Sequence, residues 1–204
     1  MDLKTAGRNP DAWRLDPKVD LEWIHMGGLG GVGMETVMKN VDPLALPESF
    51  WPRLAEGAFL TAKTGESMNI MTIGWGMVGV AWQLPVFMVL VRDSRHTYSI
   101  MEKAVDFTVT VPTGDMQDAL ALCGTRSGRD LDKFAACGLR TRPGRHTTSP
   151  VLDVRGLHLE CRILYKAPMD PSNLDPALGA LYPARDYHTL YFGEILGCYE
   201  LEGR

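Results

Sequence analysis

The sequence contains no grouping of histidines and cysteines of the kind that holds a metal. Its five histidines stand apart at positions 25, 96, 146, 158 and 188, with no C-x-x-C pair and no H-E-x-x-H run, so a zinc site is unsupported. His158-Leu159-Glu160 has the H-x-E order of zinc deaminases but lacks the P-C-x-x-C that would complete it; His158 therefore reads as a strand residue. There is no G-x-S-x-G elbow and no Walker A run, which excludes the usual signatures of an α/β-hydrolase and a P-loop enzyme. Charge of one sign is never concentrated. The formal net charge of −4, from 25 acidic and 21 basic residues, offers no general attraction to nucleic acid or an anionic membrane. The longest near-apolar run, Met77–Val91, is interrupted by Gln83 and Pro85 and is too short to span a bilayer. The opening MDLKTAGRNPDAWRLD lacks the apolar core of a secretory signal, and Cys123, Cys137, Cys161 and Cys198 are few and far apart. A cytoplasmic protein with free thiols is expected.

What remains is an ordinary globular composition, 45% hydrophobic and 23% charged over 204 residues, enough for one domain or one domain with an extension. Residues 1–66 are the least regular part, with prolines at 10, 17, 43, 47 and 52, and read as a segment wrapped over a core. Within it, Gly28-Leu29-Gly30-Gly31-Val32-Gly33 matches G-x-G-x-x-G, with Leu21–Met26 as a short strand before it and Met34–Asn40 as a short helix after it. That fingerprint works only inside a parallel βαβ unit. Here the helix would run into Asp42-Pro43 and Leu46-Pro47, and no apolar second strand follows. The context disfavours a dinucleotide site and leaves a glycine loop.

Strands are expected at Gly57–Lys63, Met68–Ile73, Val86–Val91, Phe107–Val111, Leu157–Tyr165 and Thr189–Tyr199, and helices at Arg95–Ala104, Asp115–Cys123 and Asp130–Cys137. Gly124 and Gly138 would close the last two helices, and Pro168–Pro183 forms a proline-rich loop. Six or so strands separated by turns and short helices predict a mainly β fold, an antiparallel barrel with peripheral helices.

The stretch from Met68 to Tyr98 organises the rest. Two strands lead into Arg92-Asp93-Ser94-Arg95-His96-Thr97, with Asp93 or Ser94 as N-cap of the following helix. Cations, hydroxyls and free backbone N–H groups at such a turn suit a phosphate; a capped helix with a solvated basic turn leaves the same pattern. Gly124-Thr125-Arg126-Ser127-Gly128-Arg129 brings two more cations and two hydroxyls, and is equally readable as a plain helix connection. No acid–base or nucleophilic motif stands out, as expected where a bound cofactor carries the chemistry.

The runs Thr72–Gly76, Val91–Tyr98, Cys123–Phe134 and Asp186–Ile195 together resemble the flavin reductase-like family, close to its flavoredoxin branch, in order and spacing over about residues 55–200. The resemblance implies an FMN-binding split β-barrel over residues 55–204, with residues 1–54 as an N-terminal extension wrapped on the barrel, and a homodimer. It implies non-covalent FMN reduced by NADH or NADPH. By the same resemblance, Asn69, Met71 and Thr72 lie along the isoalloxazine and ribityl chain. Ser94, Arg95, His96 and Thr97 hold the phosphate, His96 standing where tyrosine is frequent in the family. Ser127, Arg129 and Lys133 approach the flavin from a second loop, and His188 serves catalysis near the nicotinamide. The alternative within the fold is an FMN-holding carrier fed by an electron-transfer protein partner, with no direct nicotinamide binding.

Overall fold

The computed structural model describes residues 21–23 and 36–203. Leu21–Trp23 (β1) pairs with Thr36–Asn40 (β2), and β2 pairs with the end of the last strand through Tyr199↔Asn40 to Gly203↔Thr36. The helix expected over Met34–Asn40 is therefore corrected. Met38 is buried and Lys39 exposed, an alternation of period two that suits a strand and not a helix. The Gly28–Gly33 loop lies outside the described residues.

Phe50–Glu56 (α1) leads into Ala58–Thr64 (β3), Ser67–Ile73 (β4), Gly76–Ala81 (β5) and Leu84–Arg92 (β6). Gly76 and Gly79 lie inside β5. Gly76 is required there, because a Cβ would come within 2.6 Å of the Phe87 ring on β6. The β5–β6 turn also eluded the sequence. Its central residues, Trp82 and Gln83, take φ of 52° and 60°. A two-residue hairpin requires this left-handed geometry, normally supplied by Asn-Gly or Gly-Gly, and it costs about 1 kcal/mol per non-glycine residue.

After β6 come His96–Met101 (α2), Asp106–Pro112 (β7), Gln117–Thr125 (α3) and Lys133–Ala136 (α4). Thr141–Arg142 (β8) pairs with Val151–Leu152 (β9), and the long strands Gly156–Pro168 (β10) and His188–Gly203 (β11) follow. Three helix boundaries depart from expectation. Helix α2 is shorter, and Arg95 stands at its N-cap without a side-chain capping bond. Asp93 and Ser94 are occupied elsewhere, Asp93 accepting from Thr189 Oγ1 (3.0 Å) and Ser94 Oγ donating to Asp186 Oδ2 (2.7 Å). Helix α3 runs through Gly124, because Arg126 N–H still donates to Leu122 O at 2.9 Å. Helix α4 starts only after Asp132, whose carboxylate accepts from Phe134 and Ala135 N–H; Gly138, at φ +63°, ends it as expected.

The main sheet runs β1-β2-β11-β10-β7-β3-β4, with β6 added to β11 and β5 to β6, and its pairings are antiparallel throughout. Strand β7 is buried along its whole length between β10 and β3. Strand β11 pairs with β6 through His188–Glu194 and with β2 through Tyr199–Gly203. Between those halves Leu196 is left over, since Glu160 faces Gly197 and Cys161 faces Ile195. Such a bulge bends a strand and lets one element serve two sides of a barrel. The fold is mainly β with a few short helices, as expected. Strands β4 and β5 are neighbours in sequence, yet β4 pairs with β3 and β5 with β6. This parting carries the site.

His158 is a strand residue of β10, fully buried, with Nε2 against Val154 O (3.0 Å) and Nδ1 against Thr110 Oγ1 (3.1 Å). Burial holds its pKa down at about 4. On the same strand the buried Glu160 accepts from Arg145 and His146 N–H, Thr147 Oγ1 and Tyr199 OH. This is how a buried carboxylate is satisfied, and it pins the loop after β8.

Candidate functional site

A cavity of about 150 Å³ opens at the parting of β4 and β5, lined by Met71–Trp75, Leu90, Arg92, Arg95 and His188. Its polar end follows from strand register. His188, first in β11, is paired with Arg92, last in β6, so the basic turn after β6 and the histidine stand side by side. Burial, reinforced by Arg92 and Arg95 and opposed by Asp186, lowers the His188 pKa to about 4. Its imidazole is neutral at pH 7. The Trp75 ring lies 5.3 Å from the His188 ring and is 43% exposed, a flat apolar face at the cavity mouth.

The two basic loops meet over β4. Asn69 is buried, and its Nδ2 donates to Thr97 Oγ1 at 2.9 Å. Gly128 sits directly on Asn69, leaving no room for a side chain, since a Cβ would stand 2.2 Å from Asn69 Oδ1. Arg129 Nη1 donates to Ser94 O (3.3 Å), Ser127 Oγ accepts from Arg129 N–H (3.2 Å), and Arg95 Nη1 donates to Gly124 O (2.8 Å). Asn69, Thr97, Ser127, Arg129, Arg95 and Ser94 thus form one connected patch. Met71 and Thr72 line the cavity beside it, Thr72 with its hydroxyl donating to Leu120 O at 2.6 Å.

His96 is the exceptional member. Its Nδ1 is buried and, among the described residues, is the one buried side-chain nitrogen or oxygen without a hydrogen-bond partner. Burial, with Arg129 and Lys133 close enough to add repulsion, lowers its pKa. A buried polar atom left open costs about 1–3 kcal/mol, and an unpaired ring nitrogen beside two cations suits a partner of negative charge.

Two residues are committed to the scaffold. Lys133 is buried, with Nζ donating to Cys123 O (2.8 Å) and Ile70 O (3.1 Å). It ties the end of α3 to β4, and its charge, more than its donors, is what the loop shares. Ser94 gives both its hydroxyl and its N–H to Asp186.

Trp75, Arg92, Tyr182 and Asp186 belong to the site, although the sequence reading assigned none of them a contact with flavin or nicotinamide. Arg92 donates to Asp186 O (2.6 Å) and Leu181 O (3.1 Å) and stacks over the Tyr182 ring at 5.0 Å. Arg92 and Asp186 fall inside the motif blocks, at the two ends of the pairing that the motif serves. Tyr182 comes from the proline-rich loop and carried no local signal.

Residues 55–204 match the family model described as flavin reductase like domain. The chain belongs to that family. An uncharacterized protein of Archaeoglobus fulgidus is 25% identical over 138 residues, 68% of this chain and 68% of that protein. The chain spans about two thirds of the length of the curated relatives it matches. Among solved structures, flavoredoxin from Methanosarcina acetivorans superposes with a TM-score of 0.56 at 24% identity, covering 71% of this chain and 67% of that one. An NADH:FAD oxidoreductase from Streptomyces globisporus gives 0.54 at 18% identity, over 72% and 78%. These likenesses establish the flavin reductase-like split-barrel fold. Within it, the cavity, the joined basic loops and His188 occupy one continuous face.

Proposed function

We propose that this protein binds FMN non-covalently and passes electrons from NADH or NADPH through the flavin to an acceptor. The observation that carries the reading is the unpaired, buried Nδ1 of His96 beside Arg129 and Lys133. A phosphate monoester is the anion this donor set suits, because charge-assisted bonds from arginine offset its desolvation. Arg95, His96, Arg129 and Thr97 would hold it, with Ser127 at the loop's turn; Ser94, whose hydroxyl and N–H are both given to Asp186, would only shape the turn. Asn69, Met71 and Thr72 would run along the ribityl chain and ring, the cavity between β4 and β6 taking the ring's apolar edge.

When bound, FMN supplies two-electron chemistry by accepting and releasing a hydride equivalent. The chain's own task is to bind, orient and exclude water. His188, neutral at pH 7, would orient the nicotinamide at the cavity mouth, with Trp75 as its stacking face. The family relative that oxidises NADH supports a nicotinamide donor in this fold.

We further propose a cytoplasmic homodimer. Strand β5 forms an outer edge of the sheet, and Met77 (59% exposed), Val80 (66%) and Trp82 (58%) lie on it or on its turn, beside Tyr165 (53%). An exposed apolar edge is an association surface unless covered, and it adjoins Trp75, so a second copy there would also wall the cavity mouth.

The test is direct. The purified protein should carry or take up FMN, released on denaturation and identified by chromatography, and NADH or NADPH should bleach it anaerobically. Protein that neither contains nor binds FMN would refute the reading. Bound FMN that only dithionite or a reduced protein partner bleaches would establish the carrier alternative instead.

A further inference from the structure

Tyr182 is buried although it comes from the loop between β10 and β11, where Leu178 and Leu181 are exposed. Its hydroxyl lies 3.0 Å from His188 Nδ1, and the two rings meet edge to face at 5.5 Å. The other face is held by Arg92, stacked over the ring and bonded to Leu181 O and Asp186 O on either side. Tyr187 packs 5.1 Å away. The phenol is thus clamped on three sides with its oxygen aimed at one ring nitrogen.

Hydrogen positions decide what this contact does. If Nδ1–H donated to the phenol oxygen, the phenol hydrogen would need its own acceptor, and the described residues provide none. If the phenol donates to Nδ1, one bond satisfies both groups and the imidazole hydrogen resides on Nε2. Nε2 has no hydrogen-bond partner among the described residues, and His188 lines the cavity beside Trp75.

We propose that Tyr182 is a positioning residue: its hydroxyl donates to Nδ1 of His188, fixes the imidazole hydrogen on Nε2 and presents that N–H, uncharged, to a ligand carbonyl in the cavity. The identity of the carbonyl rests on the function proposed above: the carboxamide of a nicotinamide. Anionic groups are then left to Arg95 and Arg129, and His188 itself meets a neutral polar head. The charged and titratable groups facing His188 are Arg92 on β6, Arg95 before α2, Asp186 before β11 and Tyr182 itself. The two arginines and the phenol donor all favour the neutral ring, and only Asp186 opposes.

The test is nitrogen-15 NMR of the histidine rings in the purified protein, with and without added FMN, together with Tyr182→Phe. The wild-type His188 should show the Nε2–H tautomer and resist protonation down to about pH 4. Tyr182→Phe removes one donor that stabilises the neutral form, so the midpoint should move up by about half a unit or more and the tautomers should mix. With NADH, kcat should fall by about 3- to 10-fold and acquire a new acidic limb, while FMN affinity stays unchanged. A wild-type Nδ1–H tautomer would overturn the proposal, and that reading does not depend on the variant folding. So would a Tyr182→Phe protein with unaltered tautomer and midpoint. The predicted tautomer in a protein that takes up no FMN would instead refute the proposed function and uphold the Tyr182–His188 assignment.

Discussion

Gly128 is where the joining of the two loops can be tested by adding one methyl group. In Gly128→Ala the new Cβ would stand 2.2 Å from Asn69 Oδ1 and 2.8 Å from its Cγ, more than an ångström inside ordinary contact. Asn69 is buried and cannot swing into solvent, and its amide donates to Thr97. Either the amide turns away, losing that bond and leaving a buried donor unsatisfied, or the 124–132 loop lifts and takes Arg129 from Ser94 O. The first route costs about 2 kcal/mol, from a lost hydrogen bond plus an open buried group. That corresponds to a fall in Tm of about 4–8 °C for a domain of this size. If the loop lifts instead, the same free energy appears as weaker FMN binding, about 10- to 30-fold in Kd. Calorimetry of the flavin-free protein and fluorescence titration with FMN separate the routes, and Gly114→Ala, whose Cβ meets nothing within 4 Å, is the control. The sharper check is the pair: in an Asn69→Ala background the clash is gone, and Gly128→Ala should cost less than about 0.5 kcal/mol. Wild-type Tm and wild-type FMN affinity in Gly128→Ala, or an equal cost in both backgrounds, would refute the idea that Gly128 seats the second loop on Asn69.

Other outcomes follow from the same geometry. Arg95→Ala removes a forked donor worth about 1.5–3 kcal/mol to an anion, so FMN should bind about 10- to 100-fold more weakly by fluorescence titration while riboflavin changes little; equal losses would mean the phosphate is held elsewhere. The fold should weaken in acid. His158 and His188 are held near 4 in the native state against an ordinary 6.5, so the unfolded chain takes up protons that the native one refuses. Their stabilising contribution is complete above about pH 6.5 and is lost as pH falls toward 4. At about 1.4 kcal/mol per pH unit, His158 alone removes about 2 kcal/mol between pH 6.5 and 5, visible as a lower urea midpoint; a flat profile over that range would contradict the buried neutral imidazoles. Val80→Glu places a charge on the exposed β5 edge and should convert a dimer to a monomer by light scattering, whereas an unchanged dimer would put the interface on another face.

The barrel was legible because its strands carry their own patterns. Phe107–Val111 alternates apolar residues with β-branched threonines and is the inner part of β7, buried throughout between two partners; Val86–Val91 is likewise the inner part of β6. What failed were boundaries set by distant partners. Asp93 and Ser94 have the chemistry of an N-cap, but Thr189 and Asp186 on the far side of the β6–β11 pairing outcompete the local backbone for them. Gly124 looks like a helix stop and is instead the point where α3 lies against Thr72. The Trp82-Gln83 turn is invisible because neither residue favours the left-handed region it adopts.

The site divides along the same line. Ser94, Arg95, His96, Thr97, Ser127 and Arg129 stand in two polar loops whose composition suits an anion and equally suits a solvated turn. Sequence could not say that Lys133 and the Ser94 hydroxyl are spent on the scaffold, because both facts depend on which carbonyl or carboxylate the folded chain brings within reach. Tyr182 is the limiting case. It follows two proline-started turns in a loop with no periodicity, and its hydroxyl acquires meaning only when Arg92 draws residues 181–186 onto the end of β6. Arg92 therefore acts on the histidine twice, once by its charge and once by seating the phenol, and both effects favour the neutral ring. At the cavity the two arginines and the phenol thus leave His188 as an uncharged donor among cations, the form in which it can meet a neutral carbonyl while Arg95 stays free to meet an anion.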